Sequence, residues 1–425
     1  MAITGGSLKS ISPEDIKVRR SVLNQLVDII QEDVSGSSSR RAYQVFVTGG
    51  VGPGVTSSLF QTVYDQDFTL QTANPMFDMT VGLFYSGTTV QAAKTGEDSA
   101  GKLLFPSQSL MMREKVNIYK QYASTLLGTA DGAFYAPYQS QPTGGAGSVS
   151  TDRIDNAMFV SFKRLFTRDG IKRETFAIRM YQSASAADQA EDAALAAVGQ
   201  SNINRTSISG SAIFTDIGAS SNQIRVFGGN VGNIVNAANT SQTVGLMFYD
   251  AGTAVFDMSK VFSGSQHISG VIDGMSAATW TADSPAGKTV IGRAGSGNAN
   301  AKFIPDFMVS GSIDDIVDHI ASTRFQSGTL TAATFQNNTN INSTIVFCRA
   351  SADEFNYSTN PTFVDDNSRI RVIDAGQENF QRTFTMPTTV GLHDQFGNLL
   401  AVAKLSRPIE KNDEKDITVR VRLDF

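Results

Sequence analysis

Asp314, Asp315, Asp318 and His319 form the densest group of potential metal ligands in this chain. On a helix, Asp315 and His319 stand four apart on one face, the spacing at which a carboxylate and an imidazole share a zinc or iron ion. A plainer reading competes with it. Acids in the first turn of a helix interact favourably with its dipole, and His319 then lies on the surface. No second histidine lies near, so the plainer reading is preferred. His267 and His393 fall in strand or turn contexts, and three histidines with a lone cysteine supply no set of nucleophile, base and orienting acid.

Paired acids for glycoside hydrolysis need only meet in space, which makes Asp65 with Asp67, Asp152 with Asp155, and Asp365 with Asp366 candidates by proximity. The same spacings are common in turns, where an aspartate bonds its own backbone, and none is singled out. Gly49 to Gly54 resembles a phosphate-binding loop in glycine content alone. That loop needs Gly-Lys-Ser/Thr so that an ammonium reaches the phosphates, whereas Gly54 is followed by Val55-Thr56-Ser57. A flexible turn is expected there. Cys348, inside the apolar run Thr344 to Cys348, reads as a buried structural thiol. No catalytic residue, cofactor-binding residue or metal ligand is therefore assigned, and the chain is expected not to be an enzyme.

Composition narrows the classes further. With 35 basic and 40 acidic residues the net charge is −5, and no Lys/Arg run or aromatic-basic interleaving points to a nucleic-acid face. Asn204, Asn239, Asn337, Asn342 and Asn356 head N-x-S/T triplets, but no charged-then-apolar signal precedes them, so they read as polar loop residues. No apolar run of about 18 residues exists, so neither a membrane-spanning helix nor a membrane partner is expected. An outer-membrane barrel often ends on an alternating strand with a final Phe, as Ile417 to Phe425 does. The expected helices and the missing signal argue against it.

Charged residues make up 18%, below the usual quarter, and Gly, Ser, Thr and Asn are plentiful, which favours short strands joined by many turns. The expected fold is α+β and β-rich, with an N-terminal helical arm over 1–34, an α+β domain over 35–183, an inserted β-rich domain over 184–311, and a C-terminal helix plus β-domain over 312–425 that completes the core. Ser12-Pro13-Glu14-Asp15 predicts the start of the first helix. Its apolar residues Ile16, Val18, Val22, Leu23, Leu26, Val27, Ile29 and Ile30 cover about half a helical wheel, wider than one core needs, which suggests an assembly arm. Ser107 to Gly128 predicts a second helix stopped by glycine, and Ser312 onward a third. Met158 to Phe166 and Thr175 to Tyr181 flank Arg168-Asp169-Gly170 as a hairpin. Thr-Val-Gly-Leu recurs at Thr80, Thr243 and Thr389 as a strand phrase, and residues 386–425 read as an antiparallel β-meander.

Several phrases carry a family resemblance: Ser57 to Asp65, Asn74 to Asp78, Lys260 to Gly264, Ala352 to Pro361, and Leu400 to Ile409 with the ending that follows. They resemble virion structural proteins of T4-like contractile-tailed phages, notably those of marine cyanobacteria. The resemblance implies a tail or baseplate position, preferably a wedge component, present in several copies and bound to other tail proteins. It implies no cofactor and no catalytic motif. Assembly in the host cytoplasm fits the missing signal. The alternatives are a neck, vertex or fibre-attachment protein of the same virion, and a carbohydrate-degrading tail enzyme.

Overall fold

A computed structural model describes residues 8–30, 46–48, 59–64, 71–72, 74–138, 152–186, 206–221, 224–262, 266–269, 288–291, 302–324 and 331–424. The chain divides into two units, one of residues 24–339 and one of residues 1–23 with 340–425. The described strands are β1 (Ile16–Ile30), β2 (Phe46–Thr48), β3 (Gln61–Tyr64), β4 (Pro75–Leu83), β5 (Tyr85–Ser86), β6 (Thr89–Val90), β7 (Asn156–Phe162), β8 (Ala177–Ala186), β9 (Thr206–Thr215) and β10 (Ile224–Val226). They continue with β11 (Gly229–Asn236), β12 (Asn239–Phe248), β13 (Thr253–Asp257), β14 (Gln266–Ser269), β15 (Lys288–Ile291), β16 (Thr331–Ala350), β17 (Thr389–His393), β18 (Leu399–Lys404) and β19 (Ile417–Asp424). Two longer helices are α1 (Leu110–Leu127) and α2 (Ile313–Arg324).

The larger unit is built on one sheet in the order β16, β8, β9, β11, β12, β13, β7, β4, β3, β2, with neighbouring strands antiparallel. β7 and β13 lie at its centre and are buried along almost their whole length, as their near-continuous apolar sequences require. α1 covers β4. Ser109 Oγ accepts from the Met112 N–H at its start, and Gly128 ends it in the left-handed region at φ 84°, where glycine is favoured. The helix comes close to the strand at Gly82, where an added Cβ would stand 3.0 Å from the Tyr119 backbone nitrogen and the Phe159 ring. Tyr119 then donates to the Ile154 carbonyl (2.9 Å) and accepts from the Phe134 N–H (3.0 Å), so its buried hydroxyl is satisfied. On α2, Ile313, Ile316, Val317 and Ile320 enter the same core, each stabilising the fold by about 1.5–3 kcal/mol.

Lys115 is buried on α1, its ammonium donating to the carbonyls of Val309 (3.1 Å) and Gly311. Burial pulls it down to about 7, against the smaller upward pulls of Glu114 and Asp315. An unfolded lysine titrates near 10.5, so between these values the unfolded chain binds the extra proton and stability rises with pH. Urea melts at about pH 7 and pH 9.5 are expected to differ by on the order of a few kcal/mol in favour of the higher pH, a slope that Lys115→Met flattens. An unchanged slope in the variant would assign it elsewhere.

Two expectations about local elements are corrected. The N-terminal helix is a three-residue turn, Pro13–Asp15, and Ile16–Ile30 is the strand β1, paired with β16. Its β-branched residues suit a pleated strand, and its partner is far away in sequence, beyond the reach of local periodicity. The strands around Asp169-Gly170 do not form a hairpin: β7 pairs with β4 and β13, while β8 pairs with β9 and β16. Gly170 instead fits beneath the Tyr249 carbonyl, where an added Cβ would lie 2.8 Å away. Of the strands in the span 184–311, β9, β11, β12 and β13 lie within the large sheet, β13 beside β7, while β14 pairs with β15 and β8. Within that span Met258–Val261 is a short helix capped by Asp257. The Gly49 to Gly54 stretch lies outside the described residues, as do residues 139–150 and 187–198.

The smaller unit corrects the C-terminal meander. β17 and β18 form a two-stranded sheet of their own, and β19 pairs with the second half of β16, from Ser343 opposite Asp424 to Ala350 opposite Ile417. Strand alternation sends Val419, Val421 and Leu423 to one face, where they meet Val346, Cys348 and the hairpin's Val390, Leu392, Ala401 and Ala403. Fully buried Lys411, in the connection from β18 to β19, ties that connection to the loop after β16 by donating to Ala352 O (2.9 Å) and Asn356 Oδ1 (2.8 Å), and it also donates to Asn412 O (2.7 Å). Among the described residues no helix is long and apolar enough to cross a membrane.

Candidate functional site

The residues singled out for chemistry are spread apart. Asp315 closes a capping box at the start of α2: Ser312 Oγ donates to its carboxylate (2.7 Å) and accepts from its N–H (3.0 Å). His319 is buried rather than exposed, packed between Phe303 and Phe307 with ring centroids 5.5 and 5.9 Å away. An imidazole in that position is a core aromatic, which the helical spacing alone did not reveal. Asp314 stands half-buried on the same turn, and Asp318 lies within α2. His267 lies in β14, and His393 in β17, where its Nδ1 is 3.2 Å from Gly397 O. Among the described residues no three His, Cys, Asp or Glu side chains are placed to hold a metal ion. Cys348 is partly buried in the small core, and burial raises its thiol pKa, with a smaller contribution from Asp15.

The paired acids also separate. Asp65 and Asp67 lie outside the described residues. Asp152 lies 3.8 Å from Lys260, whereas Asp155 is buried against Arg153 Nε (2.6 Å) with the Lys94 ammonium 3.4 Å from its Oδ2. Burial raises the Asp155 carboxyl pKa, and the Arg153 and Lys94 charges oppose it. Lys94 is within ion-pairing reach of Oδ2, yet among the described residues that oxygen accepts no hydrogen bond, and neither Arg153 Nη2 nor Asn156 Oδ1 has a partner. This cluster joins the loop at Lys94 to the start of β7, and the Lys94 charge also acts on buried Asp257, whose carboxyl pKa burial raises. Asp365 accepts from the N–H groups of Asn367 and Arg369 in a turn, with Asp366 exposed beside it.

What the smaller unit does assemble is a surface. β1 ends the strand order, so β16 covers one of its edges and no described strand covers the other. By alternation Ile16, Val18 and Val22 share one face of β1 with Arg20, and the three apolar residues are 43%, 76% and 52% exposed. An open edge carrying a row of exposed apolar side chains is the arrangement proteins avoid unless something binds there.

Beside that edge, Arg19, Arg20, Arg420 and Arg422 line a cleft of about 420 Å³ with Ser21, Ser343 and Ile345. Arg422 is held by Asp424 (Nε to Oδ1, 2.7 Å) and donates to Ser343 Oγ (3.2 Å), and Arg20 donates to Asn340 Oδ1 (3.2 Å). Arg19 and Arg420 have no partner among the described residues. Farther along the same strands, Lys17 sits 5.6 Å over the Phe347 ring and Arg349 pairs with Asp416 (2.7 Å). The cleft joins three stretches far apart in sequence, and only the alternation of Arg420 and Arg422 on the wet face of β19 hinted at it. Comparison with known proteins returns no match to any family model, curated protein or solved structure.

Proposed function

We propose that this chain is a structural component of a contractile phage tail, a baseplate subunit of the wedge type. In this reading it is made in the host cytoplasm, carried in the virion in several copies, and acts through protein–protein interfaces without catalysis or cofactor. The carrying observation is the outer edge of β1, which no described strand covers, and its exposed Ile16, Val18 and Val22. Such an edge is completed by a strand from another subunit, which supplies backbone hydrogen bonds and covers the apolar row. The sequence resemblance supports the same reading, since the Ala352 to Pro361 phrase belongs to this unit and is anchored by Lys411.

A variant carrying Val18→Lys and Val22→Lys tests the reading, because both side chains are exposed and their loss is expected to cost less than about 1 kcal/mol in a urea melt. The variant is expected to fold and to be missing from assembled particles. Normal incorporation of the folded variant would contradict the assignment of this edge.

A further inference from the structure

We propose that the arginine cleft of the smaller unit is a binding site for a short, extended acidic segment of a partner protein. Four guanidinium groups border one cleft, and among the described residues Asp424 is the only carboxylate bonded to any of them. In a chain of net charge −5 this is a local concentration of positive charge, and Arg19 and Arg420 have no counter-charge among the described residues. Their mutual repulsion raises the free energy of the empty cleft and is relieved when an anion enters. Arginine also recognises planar oxyanions through paired parallel hydrogen bonds, which a lysine cluster does not.

The boundaries of the cleft select a peptide over a nucleic acid. Along β19 the basic stretch is closed at one end by Asp416, already paired with Arg349, and at the other by Asp424, already paired with Arg422. A continuous phosphate backbone crossing the cleft meets a carboxylate at either end, whereas a short segment fits between them. Arg420 and Arg422 stand two residues apart on one face of a strand. Two acids at positions i and i+2 of an extended peptide present carboxylates at the same repeat, about 7 Å. Ile345 in the lining gives the intervening aliphatic parts an apolar contact. The proposal rests on the assembly reading only in taking the segment to belong to another subunit.

The test uses the full chain and a fluorescein-labelled peptide of alternating Glu and Val, with the Gln-Val peptide, a single-stranded oligonucleotide of equal charge and inorganic phosphate as comparisons. Anisotropy is expected to show saturable binding of the Glu-Val peptide and none of the Gln-Val peptide. Affinity should fall about tenfold or more in the Arg19→Gln, Arg420→Gln double variant with its melting unchanged, and stay the same in Arg349→Gln. Four results would overturn the proposal: no saturable binding, binding undiminished in the double variant, tighter binding of the oligonucleotide or of phosphate, and self-association of the peptide-free chain abolished by the same substitutions. The last assigns the cleft to a second copy. All are read in solution, so their failure is distinct from failure of the chain to appear in a virion.

Discussion

Gly245→Ala is expected to destabilise the larger unit by on the order of 3–5 kcal/mol, although it adds a single methyl group. The added Cβ would stand 2.3 Å from the Val255 carbonyl oxygen on the neighbouring strand β13, and a backbone oxygen cannot turn aside as a side chain does. The site is also where the β11–β12 ladder slips: Ile234 pairs with Gly245 and Val235 with Thr243, which leaves Val244 unopposed. Gly391 is the internal control, since it occupies the same Thr-Val-Gly-Leu phrase in β17. Its added Cβ would meet only the far ends of His393 and Leu399, at 3.1 and 3.2 Å, so Gly391→Ala is expected to cost less than about 1 kcal/mol. Urea melts of the two variants decide the matter. Equal costs would mean that the phrase is used identically in both places.

Lys411→Met is expected to destabilise the smaller unit by on the order of 2–4 kcal/mol, because three acceptors that the ammonium satisfies lose their donor at once. Removing a buried charge offsets part of this cost, which is why the expected figure is below the sum for three orphaned groups. Lys415→Met is the comparison. Its ammonium is exposed and paired with Glu410 at 3.3 Å, an arrangement whose loss costs about 0–1 kcal/mol. Melting of the smaller unit followed by urea, with the two variants side by side, gives the answer. Indistinguishable variants would remove Lys411 from its anchoring role.

Where local chemistry decided the structure, the sequence was legible. Ser109 and Gly128 bracket α1 as a cap and a stop should, and Ser312 with Asp315 starts α2. Ile417 to Asp424 alternates in structure as in sequence, burying Val421 and exposing Arg420. Its partner was not legible, because the nearer hairpin and the distant β16 offer equally apolar faces and only the tertiary fold chooses between them. The same limit explains β1. A Ser-Pro-Glu-Asp opening gives one turn of 3-10 helix, and nothing local says that β16, more than 300 residues on, claims the residues after it. There was nevertheless a signal in that segment. Apolar residues over half a helical wheel are too many for one helical stripe and suit a strand that carries apolar groups on both faces. The arginine cleft was out of reach of any linear reading, since residues 19–21, 343–345 and 420–422 become neighbours only through the β16–β19 ladder and the pairing of β1 with β16.

The central claim is that this chain is part of a phage tail, and its position in a particle tests that most directly. Virions from an infection that expresses the chain, labelled with a gold-conjugated antibody to it and imaged in negative stain, are expected to carry gold at the baseplate end of the contractile tail. Gold confined to the capsid, or purified particles without label while the chain remains in the cell extract, would contradict the account.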